Sequence, residues 1–371
     1  MNDEGYMRLA MTLAERGAGH VNPNPMVGAV IVKDDRVIGQ GWHARYGDLH
    51  AERAALAACT EDPRGAVIYV TLEPCCHHGK QPPCTDALIE AGIARVVTGA
   101  GDPNPLVNGK GIRILREHGI EVTEGVLAAE CRRQNEVFFH YIQTRRPFVV
   151  MKYAMTLDGK ICTFSGDSRW VTGPEARTHV HQTRKRLAAI MAGVGTVIAD
   201  DPMLNCRVTD PADPIRVICD SGLRTPQDCA IVRTAGKIPT IIATCCADEA
   251  RSRPYTDAGC QIIVTNAKDG HVDLAQLMEL LGARGIDSIL LEGGGTLNFS
   301  ALKAGIVQKV QAYIAPKLIG GTGAKTPIEG AGLELMASAV PLTHLTVTAL
   351  GDDILIEGYI EREAGSNCSQ A

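Results

Sequence analysis

The chain has 371 residues, more than one core usually supports, so roughly two domains of 150 to 200 residues are expected. Hydrophobic residues at 45%, charged residues at 21% and 39 glycines describe a globular α/β protein, and 4% aromatic leaves little for base-stacking platforms. A formal net charge of −5 argues against nucleic acid as the main partner, leaving room only for a local basic pocket.

Residues 1–20 mix acidic and basic side chains through an apolar stripe, which predicts an amphipathic helix and not a secretory signal. No later apolar run is long enough for a membrane span, so the expected compartment is the cytoplasm, with most of the 13 cysteines reduced. Cys59, Cys131, Cys162, Cys219 and Cys260 sit among apolar neighbours and read as buried structural thiols. From Val27, strand-like runs (VGAVIVK, RVIGQGW, VIYVTL, RVVTGA) alternate with helical ones (AERAALAAC, TDALIEAG), which predicts a sheet with helices on both faces. Asp34-Asp35 is the expected hairpin turn between the first two strands. A helix is expected from Leu127 to Ile142. Pro147 then precedes a new strand, FVVMKYAM, and the domain boundary is placed near residue 146, giving domains 1–146 and 147–371.

The second half repeats the habit with AAIMAGVG, IRVICD, TIIATC, QIIVT and SILLEGG, and closes with THLTVTAL and DILIEGYIE around an expected Asp-Asp turn. The terminal hairpin implies a mixed sheet. The tail AGSNCSQA reads as disordered.

Two motifs carry chemistry in the first half. His50-Ala51-Glu52 opens one helix, and Pro74-Cys75 opens a loop that ends at Cys84, where another helix starts. A catalytic zinc uses three protein ligands and keeps one open position, and His50, Cys75 and Cys84 supply that number. Glu52, two residues past His50, is then free to carry a proton between an attacking water and a leaving amine. An H-x-E motif followed by P-C-x-x-C marks zinc-dependent nucleobase deaminases. Here the cysteines are separated by CHHGKQPP instead of two residues. Cys76 with His77 or His78 also leaves open a structural four-ligand site, in which Cys76 would be more than a bystander.

These segments, with NPNPMVGAVIV at 22–32 and GWHARYGDLHAE at 41–52, resemble the deaminase domain of the bifunctional riboflavin-biosynthesis deaminase/reductase family. The resemblance implies a cytidine-deaminase-like three-layer fold, one zinc per chain, and substrate contacts from Asn24, His43, His77 and Lys80.

In the second half, no G-x-G-x-x-G follows an early strand. SILLEGGGTLNFSAL at 288–302 reads as a strand, a glycine turn and a helix start, where backbone N–H groups can approach a diphosphate. MKYAMTLDGKI, SRWVTG, HQTRKRLAAIMAGVGTVIADDPMLNCR and LLEGGGTLN resemble the reductase domain of the same family, which is similar in fold to dihydrofolate reductase. The resemblance implies NADPH contacts from Ala154, Trp170, Thr196, Asp200, Ser221 and the segment Gly294, Gly295, Thr296, Leu297, Asn298, Phe299 and Ser300. It implies substrate contacts from Ser168, Arg184, Leu204, Arg207 and Glu292. Arg184 and Arg207 suit a phosphate as forked donors, and Glu292 ends a strand where α/β sheets place ligands. Lys152 follows an apolar strand and is read as placing the substrate, not as an acid. Cys206, beside Arg207, has no assigned role.

The expected enzyme therefore deaminates a pyrimidine nucleotide on zinc and reduces its ribosyl group with NADPH. Small-molecule nucleotides are its expected partners, without nucleic acid or membrane, and a homo-oligomer, first a dimer, is the expected assembly. Two rival readings fit the same residues. One is a free-base or tRNA deaminase fused to an unrelated domain, which the lack of basic excess disfavours. The other is a zinc-stabilised binding protein without turnover, against which the retained Glu52 counts.

Overall fold

The computed structural model describes residues 1–79 and 81–361. Lys80 and the tail 364–371 lie outside the described residues. The chain divides into two compact units, Met1–Arg145 and Arg146–Ala371.

The first unit opens with α1 (Asp3–Ala14), whose N-cap Asn2 accepts a hydrogen bond from the Gly5 N–H. The hairpin β1 (Gly28–Lys33) and β2 (Arg36–Trp42) turns at Asp34 and Asp35, whose φ angles of 49° and 59° lie in the left-handed region that a two-residue hairpin turn uses. There follow α2 (Ala51–Ala57), β3 (Val67–Leu72), α3 (Cys84–Glu90), β4 (Arg95–Ala100), α4 (Lys110–Glu117) and β5 (Glu121–Thr123). The strands form one sheet in the order β2-β1-β3-β4-β5, antiparallel where β1 meets its neighbours and parallel beyond β3.

Alternation along the strands builds three layers. Ala29 and Ile31 enter a core with Ala55, Leu88 and Leu115 of α2, α3 and α4, while Val30 and Val32 enter another with Met7 and Ala10 of α1. Each large aliphatic side chain so buried contributes ~1.5–3 kcal/mol. Gly41 lets α2 lie directly on β2, because a Cβ there would sit 2.2 Å from the Ala55 nitrogen and 2.5 Å from the Ala51 oxygen. That close approach seats the helix whose N-cap is His50.

The helix expected from Leu127 to Ile142 is instead two, α5 (Ala128–Gln134) and α6 (Glu136–Thr144). Asn135 breaks it. Its buried side chain accepts from the Met26 N–H at 2.8 Å and donates to the Met26 carbonyl at 2.9 Å, and this long-range pairing outweighs continuation of the helix.

The second unit contains β6 (Phe148–Thr156), α7 (Pro174–Arg186), β7 (Ala189–Gly193), α8 (Val194–Asp200), β8 (Ile215–Cys219), α9 (Ala230–Arg233), β9 (Thr240–Thr244), α10 (Glu249–Asp257) and β10 (Gln261–Val264). A small ribbon of β11 (Ala267–Lys268) and β12 (His271–Val272) precedes α11 (Leu274–Gly282), β13 (Ser288–Leu291), α12 (Gly295–Ala304), β14 (Lys309–Ala315), β15 (Thr343–Leu350) and β16 (Asp353–Tyr359). Nine strands share a mixed sheet in the order β10-β9-β8-β7-β13-β6-β14-β16-β15. The chain runs outward from β7 to β10 and returns to insert β13, parallel to both neighbours, between β7 and β6, so the strand order reverses beside β13, the usual place for a ligand crevice.

Two smaller expectations need correction. Lys152 lies inside β6 and does not follow it, because its strand extends through Thr156. The terminal hairpin turns at Gly351-Asp352, with Gly351 at φ 64°, and Asp353 belongs to β16. Asp353 is buried and accepts from the Gly173 N–H at 2.6 Å, tying the start of α7 to the sheet.

Candidate active sites

In the first unit, His50 is the N-cap of α2, Cys84 is the first residue of α3, and Cys75 lies in the loop after β3. The His50 Nδ1 lies 3.4 Å from the Cys75 Sγ and 3.4 Å from the Cys84 Sγ. The three donor atoms fall within 4.8 Å of one another, and among the described residues no other group of at least three such side chains gathers this way. One imidazole and two thiolates suit zinc, and three donors leave a tetrahedral ion one open position. The Cys84 hydrogen bond, with help from His50, holds the Cys75 thiol well below its usual range, while the same contact raises Cys84. Cys76 points elsewhere, toward the Leu106 carbonyl at 3.6 Å, and neither it nor His77 joins the donor group.

Glu52 sits in the first turn of α2, two residues past His50, and is 4% exposed. Burial pushes its carboxyl up to about 7, with the Cys75 thiolate adding to the rise. A carboxyl poised there can take and return a proton near neutral pH. Beside it is a cavity of about 280 Å³ lined by Asn24, His43, His50, Glu52, Cys75 and His77, among others. His43 donates from Nδ1 to the Leu49 carbonyl at 3.0 Å, so its Nε2 accepts from the Asn24 amide at 3.2 Å. Burial lowers the His43 pKa, which keeps the ring neutral for that role. The His77 Nδ1 is buried without a partner among the described residues.

Sequence reasoning missed Asp102, Asn104 and Gln81, which line the same cavity. Asp102 is buried and raised to about 6, chiefly by burial. The available signal was position, since GDPNP follows the C-terminal end of β4.

In the second unit, another cavity of about 280 Å³ gathers Lys152, Ala154, Ser168, Trp170, Arg184, Arg207 and Glu292. Arg184 and Glu292 form a two-point ion pair at 2.7 and 2.9 Å, and Arg184 also donates to the Asn205 carbonyl at 3.0 Å. Its fork is therefore engaged by the Glu292 carboxylate. Lys152 lies 3.8 Å from Glu292. Arg177 stacks over Trp170 at 4.7 Å, and with His181 it was not anticipated. Positions 177, 181 and 184 share one face of α7, a spacing visible in the sequence.

Other expected contacts lie apart from that cavity. Leu204 is 5% exposed and packs in a core cluster with Ile190 and Ile218. Thr196 and Asp200 lie on α8, and the Ser221 Oγ accepts from the Val272 N–H at 3.1 Å. The glycine segment does join a strand to a helix, with Gly294 as N-cap of α12 and no side chain capping it. A Cβ at Gly294 would meet nothing within 4 Å, so a diphosphate can approach the free N–H groups there. Asn298 is fully buried and donates to the Pro327 carbonyl at 2.9 Å, and the Ser300 Oγ donates to the Thr296 carbonyl at 2.9 Å. Leu297 packs on the core and Phe299 lies against Gly330, which leaves exposed Thr296 as the outward side chain of that turn.

Residues 1–100 match the family described as the cytidine and deoxycytidylate deaminase zinc-binding region, and residues 147–356 match the RibD C-terminal domain. The chain is 53% identical over 357 residues to the riboflavin biosynthesis protein RibD of Actinobacillus pleuropneumoniae, covering 96% of this chain and 95% of that one. It is 40% identical to the RibD protein of Escherichia coli strain K12, covering 96% and 99%. The crystal structure of a diaminohydroxyphosphoribosylaminopyrimidine deaminase/5-amino-6-(5-phosphoribosylamino)uracil reductase from Thermotoga maritima superposes with a TM-score of 0.88 at 37% identity, covering 97% and 99%. Acinetobacter baumannii RibD, form 1, gives 0.86 at 36%, also covering 97% and 99%.

Proposed function

Because the chain belongs to the RibD family of riboflavin-biosynthesis enzymes, we propose that its two cavities act in succession on one phosphorylated pyrimidine. The chain is a bifunctional deaminase and reductase that uses zinc and NADPH. The first substrate is 2,5-diamino-6-(5-phosphoribosylamino)pyrimidin-4-one, which loses its exocyclic 2-amino group as ammonia. The second is the resulting 5-amino-6-(5-phosphoribosylamino)uracil, whose ribosyl group becomes ribityl. Residues 1–146 are assigned the first step and residues 147–371 the second. The observation that carries this reading is that one chain holds both the His50, Cys75, Cys84 and Glu52 cluster and a separate cation-rich cavity at Glu292.

Zinc held by His50, Cys75 and Cys84 supplies Lewis acidity that eases deprotonation of a water. Glu52 takes that proton as the oxygen bonds to the ring carbon, and returns it to the amine as the carbon–nitrogen bond breaks. Asn24, oriented by His43, offers its amide oxygen to the pyrimidine edge. His77 and Lys80 are assigned to the ribose or the phosphate of the nucleotide. In the second cavity NADPH supplies the hydride. Ala154, Trp170, Thr196, Asp200, Ser221 and the backbone from Gly294 to Ser300 are assigned to hold it, Lys152, Ser168 and Glu292 to orient the aminouracil, and Arg207 to bind its phosphate. Arg184 acts through Glu292, which it holds in place, and Leu204 contributes backbone only.

Free nucleotides, not nucleic acid, are the proposed substrates, because the basic side chains converge in a cavity instead of spreading over a face. Among the described residues no helix is long and apolar enough to cross a membrane. A cytoplasmic location is proposed, supported by cysteines that are free thiols among the described residues. A homodimer is proposed because β15 is a sheet edge whose Leu345 and Val347 are 59% and 68% exposed. Light scattering at several concentrations checks it.

Purified protein given the diamino substrate should release ammonia without a reduced cofactor, and should oxidise NADPH only after that release. NADPH oxidation with no preceding ammonia release would sink the proposed order.

A further inference from the structure

Among the described residues, four cationic side chains, Lys152, Arg177, Arg184 and Arg207, line the reductase cavity against a single carboxylate, Glu292. Arg184 and Lys152 already engage that carboxylate. Arg177 is held by the Trp170 ring and donates to the Thr172 carbonyl at 2.6 Å. Arg207 is exposed and has no carboxylate partner among the described residues. Its contact is His181.

That contact is unusual in its hydrogen-bond count. The Arg207 backbone N–H faces the His181 Nδ1 at 3.3 Å, and the Arg207 Nε–H faces the His181 Nε2 at 3.2 Å. A neutral imidazole has one acceptor nitrogen and one N–H, so it satisfies only one of these donors. Burial first, then Arg184 of its own helix and Arg207 of the facing loop, lower the ring to about 4, against the pull of Glu292 and with Lys152 adding to the fall. At neutral pH one Arg207 N–H and one imidazole N–H thus face each other, and neither has an acceptor among the described residues. An anion with several oxygens supplies acceptors for both.

We propose that His181 is a specificity-determining residue of the reductase, pairing with Arg207 to receive the phosphate of the aminouracil substrate. This rests on the assignment of the cavity to that substrate. His181 and Arg184 share a face of α7, so one helix positions both the phosphate receiver and the arginine that holds Glu292.

The test is calorimetric binding to the full chain of 5-amino-6-(5-phosphoribosylamino)uracil and of its dephosphorylated riboside, in the original protein and in His181→Phe and His181→Gln. The phosphate's advantage in affinity should fall about tenfold in His181→Phe, as expected for one lost charged hydrogen bond. His181→Gln, which keeps an acceptor and a donor, should recover part of it. Riboside affinity and NADPH affinity should stay unchanged in both. An unchanged phosphate advantage in His181→Phe, or a loss shared equally by phosphate and riboside, overturns the proposal. Failure of the original protein to bind either ligand overturns the assignment of the cavity, and this proposal with it.

Discussion

Arg184 on α7 and Glu292 at the end of β13 meet side by side, Nε to Oε1 at 2.7 Å and Nη2 to Oε2 at 2.9 Å, with each side chain only 12% exposed. Burial alone would raise the Glu292 carboxyl, but Arg184 and Lys152 outweigh it and hold it down to about 2. Removing the arginine leaves a buried carboxylate with Lys152 alone, so Arg184→Ala should lose about 3 kcal/mol of stability in denaturant titration. A loss within ±0.5 kcal/mol would mean that the pair is replaceable by water.

The same pair sets a pH dependence. A carboxyl whose folded pKa lies below its ordinary value of 4.5 stabilises the fold fully above 4.5, and that contribution fades as pH falls toward 2. The stability difference between the original protein and Glu292→Gln should therefore shrink between about pH 4.5 and 2. A difference that is constant through this window would assign the effect to packing.

Glu52→Gln should keep zinc and lower ammonia release by about 10² to 10⁴-fold, the usual contribution of a placed acid/base group. NADPH oxidation with supplied aminouracil should survive, since Glu52 lines only the first cavity. Deamination near the original rate would remove Glu52 from its role.

Cys75→Ser should reduce the metal content, measured by elemental analysis, from one zinc per chain toward none, and abolish deamination without touching reduction. Cys76→Ser should leave both unchanged, because its sulfur faces the Leu106 carbonyl. Equal zinc loss in both variants would make the site a four-ligand one.

Neighbouring glycines should behave oppositely. A Cβ at Gly295 would fall 2.5 Å from the Glu329 Cγ and 2.8 Å from the Thr326 oxygen, so Gly295→Ala should lose ~1–3 kcal/mol by overpacking. Gly294→Ala meets nothing within 4 Å and should melt normally, yet weaken NADPH as followed by ligand fluorescence. Unchanged NADPH affinity in Gly294→Ala would place the diphosphate elsewhere.

Much of this protein was legible in its residue order. The alternation of strand and helix, the Asp34-Asp35 turn and the ordered set of His50, Glu52, Cys75 and Cys84 depend on local periodicity and on residues whose chemistry is specific. A break such as Asn135 was not legible, because its cause is a pair of hydrogen bonds to Met26, 109 residues away. Nor was the use of Arg184. In the sequence it is one cation within HQTRKR, able to meet a phosphate, and only the insertion of β13 between β7 and β6 brings Glu292 against it. Residue types and spacing determined which groups could do chemistry, while the order of strands in the sheet decided which charges neutralise each other, as it sets Glu292 against Arg184 and Lys152.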